Sequence, residues 1–187
     1  MWEFCLQYQE RRLGNGRIGR RQGALRAFVV NALSNLAYSS QCGALSEFLV
    51  VDKKRLTRSP TSSSLSLEQF AILAVSGFAA HRAVSTVPKQ IHGCRVLVLQ
   101  AHDGVGALVC QELVAGKAKV TAQIPDTPGT LESAKLLRVS TIKIGEPLQV
   151  IESLEEGSFD LVVDTIGGRD IWQACRRLFT QDGQVWI

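Results

Sequence analysis

The 187-residue chain has no apolar run approaching the ~20 residues that span a bilayer, so no membrane span is expected. Its five cysteines, Cys5, Cys42, Cys94, Cys110 and Cys175, include no C-x-x-C pair. An odd, widely spaced set describes neither a disulfide framework nor a zinc site, and it fits a reducing compartment. No basic stripe runs through the body of the chain. Residues 1–40 hold six Arg and two Glu, which account for the whole net charge of +4, and the other 15 basic and 15 acidic residues cancel. A nucleic-acid partner is therefore not expected, and the Arg cluster reads as a solvated tail. There is no G-x-x-x-x-G-K-[ST] phosphate loop, no Tyr-x-x-x-Lys pair of the short-chain reductase mechanism and no G-x-S-x-G elbow of a hydrolase. The three histidines, His81, His92 and His102, belong to no acid–His–nucleophile pattern, so the catalytic residues stay unassigned.

What is present is ordinary globular composition, 45% apolar and 20% charged, organised around one stretch. Arg95 to Leu99 is a short β-branched apolar run, as expected of a parallel strand buried on both faces. Gly104 and Gly106 follow, and Ala107 to Ala115 continues as helix, with Gly116 as its C-cap. A strand, a glycine turn and a helix N-terminus together aim backbone N–H groups and the positive end of a helix dipole at one spot. This is how a dinucleotide fold binds pyrophosphate. Gln100 and Asp103 stand where a complete glycine fingerprint would have its first two glycines.

Before this stretch, Gly23 to Ala37 has helical spacing in Leu25, Phe28, Val29, Leu33 and Leu36. Ala44 to Val51 and Arg55 to Arg58 read as strands, and Ser59 to Ser64 as a loop. Ser66 and Gln69 occupy the two positions of a capping box, which opens a helix with Phe70 to Val75 as its buried part. Ser76-Gly77 breaks or bends that helix, and Phe78 to Val84 resumes it. Beyond Gly116 the alternation repeats. Strands are expected at Lys119–Ile124, Thr141–Ile144, Phe159–Asp164 and from Gly183, with helices at Thr130–Arg138, Leu148–Leu154 and Ile171–Phe179. That order predicts a parallel sheet covered on both faces. The chain ends inside its fifth strand, at Ile187, where such a sheet ordinarily goes on to a sixth, so it reads as a truncated product.

Four segments carry a family resemblance. Ala44-Leu45-Ser46-Glu47-Phe48-Leu49-Val50-Val51 is similar to an "A-x-x-E-x-x-V-V" strand, and Ser66 to Leu73 to an "S-L-E-E-A-A-A-L" helix. Val96 to Gly106 resembles "V-L-V-x-G-A-x-G-G-V-G", and Phe159 to Gly168 resembles "V-D-V-V-L-D-T-V-G-G". Together they resemble the medium-chain dehydrogenase/reductase superfamily, most closely its zinc-independent quinone-oxidoreductase branch, over about three quarters of the chain. The resemblance implies an α/β fold with a Rossmann-type doubly wound parallel sheet, preceded by a remnant of the GroES-like catalytic domain. Residues 1–42 would be an irregular basic segment, 43–88 the remnant with its linking helices, and 89–187 the dinucleotide-binding domain. It also implies hydride transfer from NADP or NAD to a quinone or enone, and a possible homodimer. A Cys zinc ligand would lie near Ser76, so no metal is expected. The family's "G-x-T-A" segment appears as Gly77-Phe78-Ala79-Ala80, with a methyl in place of the Thr hydroxyl.

The cofactor-binding residues expected are Ala101, Gly104, Val105, Gly106, Asp126, Thr165 and Gly167. Asp126 lies 20 residues after Gly106, where a ribose-binding acid belongs, although it is equally a turn residue between Pro125 and Pro128. That turn has no Arg or Lys to grip a 2′-phosphate. Asp164 to Gly168 sits at the ligand end of its strand, and is also a strand-to-helix turn that needs glycine. His102 is either a phosphate donor or a solvated loop side chain. Asp103 has two readings. As a like charge ~5 Å from a phosphate, at an effective dielectric of about 20, it would repel by roughly 3 kcal/mol. As a helix N-cap, it would take the N–H groups that a phosphate needs. The alternative to an oxidoreductase is accordingly a non-catalytic Rossmann scaffold or regulatory protein without cofactor. Glu3, Glu10 and the lack of Ser before Ser34 argue against a mitochondrial transit peptide. The expected location is therefore cytoplasmic, with mitochondrial as the alternative.

Overall fold

A computed structural model describes residues 28–30, 56–58, 64–66, 69, 73–87, 91–102 and 104–186. The chain divides into two compact units, Met1–Val75 and Ser76–Ile187. In the first, β1 (Phe28–Val30) pairs antiparallel with β2 (Leu56–Arg58), Val29 opposite Thr57. This corrects the helical reading of Gly23–Ala37 at Phe28–Val30. Two adjacent valines favour extended backbone, and their pairing partner lies far along the chain, where local periodicity does not register it. The expected strand Ala44–Val51 and most of the Ser59–Ser64 loop lie outside the described residues. The capping box is formed. Ser66 N–H donates to Gln69 Oε1 at 2.9 Å, and Gln69 N–H donates to Ser66 Oγ at 3.3 Å. Val75, expected to be buried, is 52% exposed. Leu73–Gly77 forms a π-helical turn, and α1 (Phe78–Ser85) follows it.

The second unit carries a five-stranded, wholly parallel sheet in the order β5-β4-β3-β6-β7. Its strands are β3 (Arg95–Val98), β4 (Lys119–Ile124), β5 (Thr141–Ile144), β6 (Phe159–Val163) and β7 (Phe179–Trp186). The helices between them are α2 (Gly104–Ala115), α3 (Thr130–Lys135), α4 (Pro147–Ser153) and α5 (Arg169–Cys175). Side chains alternate across the pleat. Val96 and Val98 pack on one face with Val120, Ala122, Val109 and Leu113. Leu97 and Leu99 pack on the other with Ile151, Ile171 and Cys175. Helices cover both faces, so the sheet is doubly wound. All of these side chains but Ile171 are fully buried, and each Val, Leu or Ile contributes roughly 1.5–3 kcal/mol by leaving water.

Most element ends fall within one to three residues of the expectations, and three differ for identifiable reasons. Helix α3 stops at Lys135 rather than Arg138, because Arg138 has a φ of +55° and turns the chain left-handed. Helix α5 ends at Cys175, a single 3-10 turn covers Arg176–Leu178, and Phe179 is already strand, paired with Phe159. Strand β7 therefore begins four residues before Gly183. Arg177 closes the end of α4: its Nη2 donates to the carbonyls of Ile151, Glu152 and Leu154 at 2.7–2.8 Å. One cation so takes the Glu152 and Leu154 carbonyls at this helix end and shares that of Ile151, which also accepts Leu154 N–H at 3.2 Å.

Candidate functional site

Strands β3 and β6 are neighbours, but the chain leaves β3 toward β4 and returns to β6 from the other edge. Their C-terminal ends are thus the point where the strand order reverses, and ligands of open α/β sheets bind in the crevice there. A cleft of about 410 Å³ occupies that position, within the range of small-molecule sites. The turn after β3 and the start of α2 supply Gln100, Val105 and Gly106. The end of β6 supplies Val163, Asp164, Thr165, Ile166 and Gly167, and α1 adds the methyl groups of Ala79 and Ala83. Four expected residues, Val105, Gly106, Thr165 and Gly167, are thereby brought together. Three others do not line the cleft: Ala101 is fully buried in the core, Gly104 is exposed at the start of α2, and Asp126 is exposed after β4. Half-buried His102 sits on the turn outside the lining, and Asp103 lies outside the described residues.

The first wall is built by close backbone approach. A Cβ on Gly106 would lie 2.3 Å from the carbonyl oxygen of Gln100 and 3.1 Å from Ala101 Cα. Only glycine lets α2 start this close to the end of β3. Gly104 has a φ of +52°, and nothing lies within 4 Å of where its Cβ would stand. Gln100 has a φ of +48°, in the left-handed region, which costs a non-glycine residue on the order of 1 kcal/mol. Gln123 holds it there. This residue is fully buried; its Oε1 accepts Gln100 N–H at 2.9 Å, and its Nε2 donates to Gly145 O at 2.7 Å. Its own carbonyl accepts Ala101 N–H at 2.9 Å.

The second wall is built by a carboxylate. Asp164 is 3% exposed, and its Oδ1 accepts the N–H groups of Ile166 at 2.8 Å and Gly167 at 3.0 Å. Its Oδ2 is buried with no hydrogen-bond partner among the described residues. Thr165 Oγ1 donates to Leu99 O at 2.8 Å and ties the two walls together. Behind this wall, burial and the Asp164 charge push the Cys175 thiol up to about 11, and burial alone pushes Cys110 to about 12. Both stay protonated at neutral pH and are not nucleophiles. No group of three or more His, Cys, Asp or Glu residues placed to hold a metal occurs among the described residues. No described helix is long and apolar enough to cross a membrane.

The residues present fit a dinucleotide. Helix α2 has no acidic side chain within its first turn, so nothing inside the helix offsets the positive end of its dipole. Gly104 and Gly167 both have positive φ and open space where a side chain would stand, so a ligand can approach their backbones. Asp164 lines the cleft, but its Oδ2 is closed off from solvent, so the residue shapes this wall through the Ile166 and Gly167 amides it holds. Two of these features escaped the sequence reading. Gln123 was legible only as a polar residue inside an apolar strand, and the role of Asp164 only as a carboxylate before a glycine pair.

No protein-family profile matches the chain. Among curated proteins it is 32% identical over 136 residues to the human mitochondrial NAD(P)H oxidoreductase RTN4IP1, a match covering 67% of this chain and 32% of that protein. The mouse protein of the same name is 31% identical over 150 residues, covering 78% of this chain and 37% of the relative. The chain thus spans about a third of the length of the curated relatives it matches. Among solved structures, a quinone oxidoreductase of Pseudomonas syringae pv. Tomato DC3000 superposes with a TM-score of 0.61 at 26% identity, over 76% of this chain and 44% of that one.

Proposed function

The chain belongs to the medium-chain dehydrogenase/reductase superfamily, on its quinone-oxidoreductase side, and on that premise we propose that Ser76–Ile187 is the cofactor-binding part of an NAD(P)H-dependent oxidoreductase acting on a quinone or enone. The cleft between the ends of β3 and β6 carries this reading, because it joins a glycine-dependent helix start to a second glycine turn across the sheet's reversal point. The backbone of Gly104, Val105 and Gly106 would hold the pyrophosphate at the start of α2, next to the buried Ala101 turn. Thr165 and Gly167 would line the nicotinamide half. When bound, the cofactor supplies hydride. Asp126, exposed in a turn without Arg or Lys, would accept the adenosine ribose hydroxyls. We therefore propose that NADH binds at least as tightly as NADPH.

The P. syringae protein is a quinone oxidoreductase by name, which supports a small conjugated carbonyl as substrate. The relatives' mitochondrial designation favours a mitochondrial location for this chain over a cytoplasmic one, against the departures from a transit peptide at Glu3 and Glu10. Imaging of a C-terminally tagged chain decides between them. A homodimer is the assembly proposed, and sedimentation tests it.

Calorimetric titration with NADH and NADPH is the direct test of cofactor binding, with Asp103→Gly alongside. Micromolar binding is expected. Removing the Asp103 carboxylate should tighten it by as much as a hundredfold if that charge lies ~5 Å from the pyrophosphate, given a repulsion of roughly 3 kcal/mol. Absence of binding by both forms would overturn the proposal in favour of a scaffold that has lost its cofactor.

A further inference from the structure

We propose that Gln123 is a positioning residue for the dinucleotide turn, a buried latch that holds Gln100 in its left-handed conformation and so sets where α2 begins. The inference rests on the dinucleotide reading above.

Gln123 is the one fully buried residue of polar type in the described part of the sheet. It lies on the face of β4 opposite Val120, Ala122 and Ile124, which pack in the core. A carboxamide buried this completely destabilises the fold unless its groups are matched. Here both ends are matched to main chain. Oε1 takes the Gln100 amide at 2.9 Å, and Nε2 gives to Gly145 O at 2.7 Å. The side chain thus spans from the turn after β3 to the turn after β5, and three parallel strands are registered at their ligand end by one residue.

The latch is needed at Gln100 because of what stands there. Its φ of +48° is one that glycine adopts freely and glutamine does not. The carbonyl of the same residue is the atom that a Cβ on Gly106 would meet at 2.3 Å. A small backbone rotation at Gln100 would therefore change the contact against which α2 is seated. Gln123 opposes that rotation from the amide side, while its own carbonyl holds the next amide, that of Ala101, at 2.9 Å. Two consecutive amides of the turn are fixed by one residue of the adjacent strand. The pairing has a chemical logic: the turn lacks the glycine that would make this conformation free, and the neighbouring strand supplies the hydrogen bond that enforces it.

The test uses the full chain with Gln123→Met, which conserves volume and removes both bonds, and with Gln100→Gly, alone and combined. Two readouts are taken: hydrogen exchange at the Gln100 amide by NMR, and NADH affinity by calorimetry. In the natural chain the Gln100 amide should exchange at least about 100-fold more slowly than an unstructured peptide, since the residue is exposed and only the bond protects it. Rapid exchange there overturns the latch without any variant being needed. Gln123→Met should speed that exchange and weaken NADH about tenfold or more. Adding Gln100→Gly should bring affinity back to within about threefold of the natural chain, because glycine adopts this turn without strain. A merely structural role would lower the melting temperature and leave affinity and rescue unmoved, which also overturns the proposal. Protection in the natural chain that Gln123→Met abolishes, with no NADH bound by any form, would instead refute the dinucleotide reading and leave the latch standing.

Discussion

The two strand-to-helix turns that flank the cleft solve the same problem with opposite chemistry. After β3, the chain reverses into α2 by removing atoms. Gly106 has no Cβ, so the helix seats directly on the carbonyl of Gln100, where a side chain would come within 2.3 Å. After β6, it reverses by adding a functional group. The Asp164 carboxylate, almost wholly buried, satisfies the amides of Ile166 and Gly167, and the glycines that follow face open space. The first turn is limited by sterics at Gly106. The second has room around Gly167 and Gly168, whose positive φ still favours glycine, and it depends on its acceptor. Thr165, bonded to the carbonyl of Leu99, couples the two.

That contrast can be broken from either side. The largest effect is expected at Gly106→Ala. The clash is with backbone, which does not step aside, so the penalty should reach about 3 kcal/mol, the upper part of the range for overpacking; denaturant unfolding measures it. At the second turn, Asp164→Ala leaves two amides without acceptors and should cost about 1–3 kcal/mol. Asp164→Asn, which keeps an acceptor at Oδ1, should cost less. If alanine proved no worse than asparagine in thermal unfolding, the electrostatic account of this turn would fail. The smallest effect is expected far from the cleft, where Asp160 takes the Arg95 backbone amide at 2.8 Å and its guanidinium at 3.0 Å. The Arg95 hydrogen bond holds the Asp160 carboxyl below its usual range. A lowered folded-state value means that the contribution is present above the unfolded pKa of about 3.9 and is lost as the pH falls below it. Asp160→Asn should therefore destabilise by less than about 1 kcal/mol at neutral pH, because the pair is exposed. The difference from the natural chain should shrink as the pH falls from the unfolded value toward the lower folded one, as a melting series on acidification would show.

How much of this was legible in the sequence followed from where each signal resides. Lys119–Ile124 was legible to the residue as a mostly buried strand, and Thr141–Ile144, a largely exposed edge strand, through its β-branched Thr and Ile. The capping box at Ser66 and Gln69 is a local reciprocal pattern and formed as read. Helix ends were less visible. Nothing in a linear pattern marks Arg138 as left-handed, because arginine has no intrinsic preference for that conformation. Phe28–Val30 misled because helical spacing and β-branching coexist there, and only the partner strand, 26 or more residues away, decides between them. At the site, the glycines of the fingerprint could be found as residues, but the latch could not. Gln123 acts on main-chain groups of two other segments, and main chain carries no sequence signature. The missing glycine at position 100 was visible as a departure; that the backbone nonetheless keeps a glycine-like angle was not.

The tie between Thr165 and Leu99 has a consequence for the order of assembly. It joins residues 66 apart in the chain, whereas the bond from Gln123 to Gln100 joins residues only 23 apart. Closing the longer loop costs about 0.9 kcal/mol more in chain entropy. Strands β3 and β4, with α2 between them, are therefore expected to form first, with β6 docking onto them afterwards. The cleft has one wall from each partner, so it comes into being only at that late docking step. A nascent chain that has released β3 and β4 already holds the glycine wall of the cleft, and it waits for the remainder of the sheet before it has a pocket.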